Sequence, residues 1–121
     1  MSEALEKVKG ITQLPLFPLP IVLLPIEILP LHIFEPRYRE LLKDVESSNK
    51  LFGLHYFEPK EEFETRPSIG SIGCVAEVRE VQEMPDGRSN IITSGLVRYR
   101  LLDYVESDTP YLVGEVEFFE D

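Results

Sequence analysis

Leu29-Pro30-Leu31-His32-Ile33-Phe34-Glu35-Pro36-Arg37-Tyr38-Arg39-Glu40-Leu41-Leu42 is where the chain changes backbone habit. Proline fixes φ near about −65° and has no N–H, so a helix running through Pro30 would lose a hydrogen bond. The first helical position needs no such donor, and Pro36 therefore suits a helix start. Glu35 places negative charge at the positive end of that helix. Tyr38, Leu41, Leu42 and Val45 follow at i, i+3, i+4 and i+7, a single apolar stripe. Glu35 and Arg39 stand i, i+4 in the favourable order. Ser47, Ser48 and Asn49 end the helix, which is predicted over about 36–47.

Upstream, Pro15, Pro18, Pro20, Pro25 and Pro30 keep the chain extended from Gln13 to Leu31 and argue against a strand in a sheet interior. Short strand pieces are predicted at Leu14–Phe17 and Ile21–Leu24, paired on one side. Ser2 to Lys9 reads as a short helix capped by Ser2 and stopped by Gly10. It is too short to stand alone, so residues 1–12 are expected to be a mobile N-terminal segment.

Downstream, Leu51–Phe57 is a short apolar run, predicted to be a buried strand. Residues 58–68 read as a charged loop. Ile72, Cys74, Ala76 and Val78 alternate, but Val81 falls out of phase, which predicts a bulge near Arg79–Glu80. Met84-Pro85-Asp86-Gly87-Arg88 is a turn signal. A long strand is predicted from Ser89 to about Val105, bent at Gly95, with Val97, Tyr99 and Leu101 on one face. A last strand is predicted from Tyr111 to Phe119. Several bent strands and one amphipathic helix give an α+β class, mainly β, built as a bent, partly closed barrel.

The 121 residues suit one domain, and a net charge of −10 repels phosphate backbones and anionic headgroups. No nucleic-acid or membrane partner is therefore expected. The apolar span Leu14–Phe34 carries too many prolines for a helix in lipid. No secretory signal pattern is present, which points to the cytoplasm. The lone Cys74 sits in an apolar run and reads as a buried small hydrophobe.

Signals for chemistry are absent. There is no G-x-x-x-x-G-K-[ST] phosphate loop, no G-x-S-x-G elbow and no metal-ligand spacing among His32, His55 and Cys74. Gly70-Ser71-Ile72-Gly73 matches a GxxG pattern, yet it leads into a strand and reads as a turn. No catalytic residue, cofactor or metal is expected, and the chain reads as a non-enzyme.

The stretch from Leu29 to Leu42 resembles the signature of the Lon N-terminal (substrate-recognition) domain family. Leu14-Pro15-Leu16-Phe17-Pro18-Leu19 is similar to that family's opening strand, and Gly70 through Val78 to its middle strand. Pro85-Asp86-Gly87-Arg88 resembles its hairpin turn, and Gly95-Leu96-Val97-Arg98-Tyr99-Arg100-Leu101 the strand that follows. The resemblance implies a PUA-like pseudo-barrel over residues 13–121, without the helical second lobe into which the family usually continues. It implies a stand-alone domain or a fragment. It also implies a protein-binding role, capturing unfolded or tagged clients for an ATPase and protease. An RNA-binding role, known among PUA-like folds, is the alternative. Oligomeric state is not legible.

Two sets of residues stand out. Pro25, Ile26 and Ile28 lie between proline brakes in a predicted surface loop; Ile26 and Ile28 face one way if the chain is extended there. Two positions are open to them, tucked inward or exposed as an apolar patch that grips client segments, with Phe63 extending it. His32, Glu35, Arg37 and Tyr38 form a candidate fold-locking cluster, with Arg37 expected to pair with Glu77 or Asp86. The acidic charge predicts no micromolar binding of structured or single-stranded RNA at physiological salt. Fluorescence anisotropy checks this, and a salt-sensitive micromolar complex would reverse the ranking of protein over RNA.

Overall fold

The computed structural model describes residues 2–120. In chain order it contains α1 (Glu3–Lys7), β1 (Gln13–Leu19), β2 (Ile28–Ile33), α2 (Pro36–Glu46), β3 (Leu51–Tyr56), β4 (Ile72–Glu83), β5 (Ser89–Val105) and β6 (Leu112–Phe119). The sheet runs β2-β5-β4-β3-β1-β6, and β6 pairs back onto β5. That last pairing closes a barrel from β5, β4, β3, β1 and β6. Strand β2 stays outside the ring, paired to the first third of β5 from Ser89 to Ser94. The class is α+β, mainly β.

Two apolar layers hold this arrangement. Leu14, Leu16, Leu51, Val75, Val97, Tyr99, Leu101 and Val116 fill the barrel. Tyr38, Leu41, Leu42 and Val45 are the buried face of α2. They pack with Phe17, Phe52, Leu54, Ala76, Val78 and Ile91 in a second cluster. Burying one large aliphatic side chain contributes about 1.5–3 kcal/mol, so the helix stripe is a principal hold on the sheet. The predicted stripe and the observed buried face are the same four residues. Segment 2–12, expected to be mobile, is placed with Val8 buried in the barrel cluster and Ala4 and Leu5 packed beside it.

Strand β5 belongs to both layers. Ile91, Val97, Tyr99 and Leu101 have the same parity, yet Ile91 joins the helix-side cluster and the others line the barrel. The crossover lies at Gly95, opposite a register shift between Cys74 and Ala76 of β4. A second shift lies between Val78 and Glu80, where the phase slip predicted a bulge. The first shift, where β5 takes three steps from Gly95 to Arg98 against two from Cys74 to Ala76, left no trace in the pattern, because burial keeps alternating along β5 through Gly95, Val97 and Tyr99.

The proline-rich stretch departs from expectation in two ways. Residues 21–24 form no strand, although Leu23 is buried. Strand β1 lies inside the ring despite Pro15 and Pro18. It is paired to β6 over Gln13–Leu16 and to β3 over Leu16–Leu19, so only Leu16 has neighbours on both sides. Each proline faces a single neighbour, and its nitrogen can turn to the unpaired side.

A polar chain crosses the barrel. Ser71 Oγ donates to the Ser68 carbonyl, which uses its one proton. His55 Nε2 must then donate to Ser71 Oγ at 2.7 Å. That leaves Nδ1 to accept from the Tyr99 hydroxyl at 2.9 Å. Gly73 makes room, since a Cβ there would strike the Tyr99 hydroxyl. The neutral imidazole satisfies every partner, and burial pushes His55 down to about 4.

Two outcomes follow from this packing. Gly95→Ala places a Cβ against the Leu24 carbonyl oxygen, so urea unfolding should show a loss of about 1–3 kcal/mol. For His55, the folded pKa of about 4 lies below the unfolded value of about 6.5. Its stabilising contribution is whole above the unfolded value and fades as pH falls from there toward 4. The full shift corresponds to an upper bound on the order of 3 kcal/mol. The difference in unfolding free energy between wild type and His55→Gln should shrink over that window; a pH-independent difference would contradict the assignment.

Candidate functional site

The chain between β1 and β2 crosses the barrel as a strap, and Gly95 is its anchor. Ile26 N donates to Gly95 O at 2.9 Å, and Gly95 N donates to Glu27 O at 2.9 Å. Glu27 then closes the loop on itself: its carboxylate accepts from Leu24 N at 2.7 Å, and its own N–H donates to Leu24 O at 3.1 Å. The hydrogen bonds hold Ile26 at φ +67°, in the left-handed region. For a β-branched residue that conformation costs roughly 1–2 kcal/mol.

The side chain held this way is not buried. Ile26 is 91% exposed and Ile28 64%, with Val22 and Leu24 also exposed beside them. Pro25 is half-buried at the head of the turn. Of the two positions left open, the structure therefore shows the exposed one. The extended-chain alignment of Ile26 with Ile28 does not hold, because Ile26 turns out of extended backbone.

Phe63 is 81% exposed, on the loop after β3. That loop is anchored at the far end of β5: Gly70 N donates to Leu101 O at 2.7 Å, and the Tyr104 hydroxyl donates to Pro67 O. Gly95 and Leu101 are six residues apart on β5, roughly 20 Å along a strand. The anchors group Ile26 with Ile28 and the strap and set the Phe63 loop at another level of the barrel.

The signature residues divide by element. His32 lies on the edge strand β2 and bonds its cross-strand partner, Asn90 Oδ1, at 2.7 Å. Glu35 is the N-cap residue of α2, and Tyr38 stacks on Phe17 with ring centroids 3.9 Å apart. Arg37 reaches neither expected carboxylate. It lies 3.5 Å from Glu35 and over the Tyr38 ring at 4.8 Å. Glu77 is engaged by Lys7 and Arg79, and Asp86 by Arg88. The intervals explain this: Arg37 begins the helix on its exposed side, whereas Glu77 and Asp86 have nearer cations. Arg39 likewise bonds the Phe34 carbonyl at 2.9 Å rather than Glu35.

Sequence reasoning missed His55 and Arg66. His55 lies in an apolar run, where nothing marks the partners it finds on β5 and before β4. Arg66 stacks on Tyr104 at 4.0 Å, a contact across 38 positions that no local pattern announces. Burial pushes the Cys74 thiol up to about 11, which leaves it inert as a nucleophile. No group of three His, Cys, Asp or Glu side chains able to hold a metal occurs among the described residues. No helix among them is long and apolar enough to cross a membrane.

Comparison with known proteins places this geometry. The family profile for the ATP-dependent protease La (LON) substrate-binding domain matches residues 13–121. The chain is 34% identical to the Lon protease of Parabacteroides distasonis over 99% of its own length and 14% of that protein's. Against the Lon protease of Flavobacterium johnsoniae it is 29% identical over 64% of this chain and 10% of that one. It thus spans about a seventh or less of these relatives. Among solved structures, a Lon N-terminal domain protein from Xanthomonas campestris superposes with a TM-score of 0.74 at 31% identity, over 91% of this chain and 61% of that one. The N-terminal domain of Mycobacterium avium complex Lon protease shares the fold, with a TM-score of 0.68 at 14% identity over 90% and 55% of the chains. The chain belongs to the LON substrate-binding domain family.

Proposed function

We propose that this domain is a non-catalytic module that holds exposed apolar segments of client proteins, and that the strap carrying Pro25, Ile26 and Ile28 makes the contact. One observation carries the reading: an isoleucine that is 91% exposed is kept in a conformation unfavourable for its side-chain type. The turn at Ile26 anchors the strap to Gly95, but it needs no isoleucine there and buries none, whereas a rigid apolar prong lowers the ordering cost of capture. Family membership supports a role in substrate recognition, with ATP-driven unfolding and peptide-bond cleavage supplied by other parts of a larger assembly. The −10 charge supports proteins over RNA as partners. A single buried thiol fits a cytoplasmic setting. Phe63 is a second apolar contact, reached by longer client segments. Of the signature residues, His32 ties β2 to β5 and Tyr38 ties α2 to β1, while Glu35 and Arg37 pair at the start of α2.

The double variant Ile26→Asp, Ile28→Asp should melt within a few degrees of the wild type, because both side chains are already in water. Its affinity for reduced, carboxymethylated α-lactalbumin should fall at least about tenfold in a calorimetric or surface-binding assay, about 1.4 kcal/mol. Unchanged affinity would remove the strap from the site. A melting point far below wild type would return the two isoleucines to the core.

A further inference from the structure

A cavity of about 530 Å³ opens between α2, the loop after β3 and the β5–β6 connection. Its lining is unusual for so acidic a protein, because two arginines, Arg37 and Arg66, reach it from separate segments. Both guanidiniums lie against aromatic rings, Arg37 over Tyr38 at 4.8 Å and Arg66 over Tyr104 at 4.0 Å. Stacking limits their motion while leaving the N–H edges available. Tyr38 adds a third donor. Tyr38 is 7% exposed and lines both this cavity and the groove beside Pro30 and His32, and its hydroxyl makes no hydrogen bond among the described residues. The other two tyrosine hydroxyls of the lining are engaged: Tyr104 donates to Pro67 O and Tyr111 to Asp44 Oδ2 at 2.6 Å.

We propose that this cavity binds a carboxylate carried by a client peptide, with Arg37, Arg66 and the Tyr38 hydroxyl as donors. The proposal rests on the reading of the domain as a client-binding module, but it concerns a different surface from the strap. A carboxylate fits better than a phosphate. Glu35, 3.5 Å from Arg37, offsets part of that cation and leaves a site matched to one negative charge rather than two. The planar guanidinium fork suits two carboxylate oxygens. The protein's remaining acids oppose anions at long range, but salt screens them beyond about 8–10 Å. The flanking rings, Tyr104 and Tyr111, give the neighbouring residue of the peptide an apolar wall. The carboxylate comes from a chain end or from an Asp or Glu side chain.

The test is a titration of the ¹⁵N-labelled chain with three probes. N-acetyl-Ala-Phe carries a terminal carboxylate, N-acetyl-Asp-Phe-amide a side-chain carboxylate, and N-acetyl-Ala-Phe-amide none. One or both carboxylate probes should shift the amide signals of Arg66, Tyr104 and Thr109 saturably, and the tighter of the two identifies the source. The uncharged probe should not. Arg66→Gln and Arg37→Gln should each weaken the response about tenfold with dispersed spectra retained, and Tyr38→Phe a few-fold. Equal shifts with the uncharged probe, undiminished binding by Arg66→Gln, or displacement by inorganic phosphate at lower concentration than by acetate would each overturn the assignment. The Ile26→Asp, Ile28→Asp variant should titrate as wild type here. Retained capture of an unfolded client by that variant, with an intact peptide titration, therefore counts against the strap and leaves the cavity standing.

Discussion

The approach of the strap to Gly95 is the constraint on which the rest of the structure depends. A strand that serves two apolar layers must change faces somewhere along its length. In β5 the change falls at a residue with no side chain, where β5 gains one residue in its register against β4. The same absence of a Cβ lets the Leu24 carbonyl come against the backbone. Two backbone hydrogen bonds then fix the strap at the crossover. The end of the β2 pairing at Ser94 and the presentation of Ile26 thus meet at one position.

That arrangement separates rigidity from apolar burial at the surface. The helix stripe and the barrel interior are packed as cores are, with little exposure. The strap obtains its order from hydrogen bonds to backbone and from the Glu27 carboxylate, so its isoleucines are free to remain in water. A loop that depended on burying Ile26 and Ile28 for its shape would have nothing left to offer a partner. The charged surface elsewhere discourages self-association through the exposed patch, since two copies each carry −10.

Local periodicity was legible wherever one element meets one layer. The α2 stripe, the strand limits of β5 and the slip after Val78 all follow from spacing of three to four, or of two, with neighbours read in order. The reading failed where a position answers to two partners. Pro15 and Pro18 looked incompatible with an interior strand, but β1 changes neighbours at Leu16. The bulge in β5 opposite Val75 is silent because Gly95, Val97 and Tyr99 stay buried at alternate positions through it. Arg37 had two plausible distant carboxylates and took a near one, Glu35. His55 and Arg66 acquire their meaning from Tyr99 and Tyr104, which tertiary pairing alone brings to them. Ile26 and Ile28 could be located as a proline-bounded apolar loop, but not their exposure, which depends on hydrogen bonds to a distant glycine.

The central claim is that the strap is an ordered part of the fold, held at Gly95, and not a loose loop. Residue-resolved amide hydrogen exchange on the chain without any client tests it most directly. The account predicts that the Ile26 and Gly95 amides, each donating at 2.9 Å, exchange far more slowly than the open amides of the 58–66 loop and approach the protection of Leu101. Exchange of the Ile26 and Gly95 amides at the rate of an unstructured peptide would contradict it.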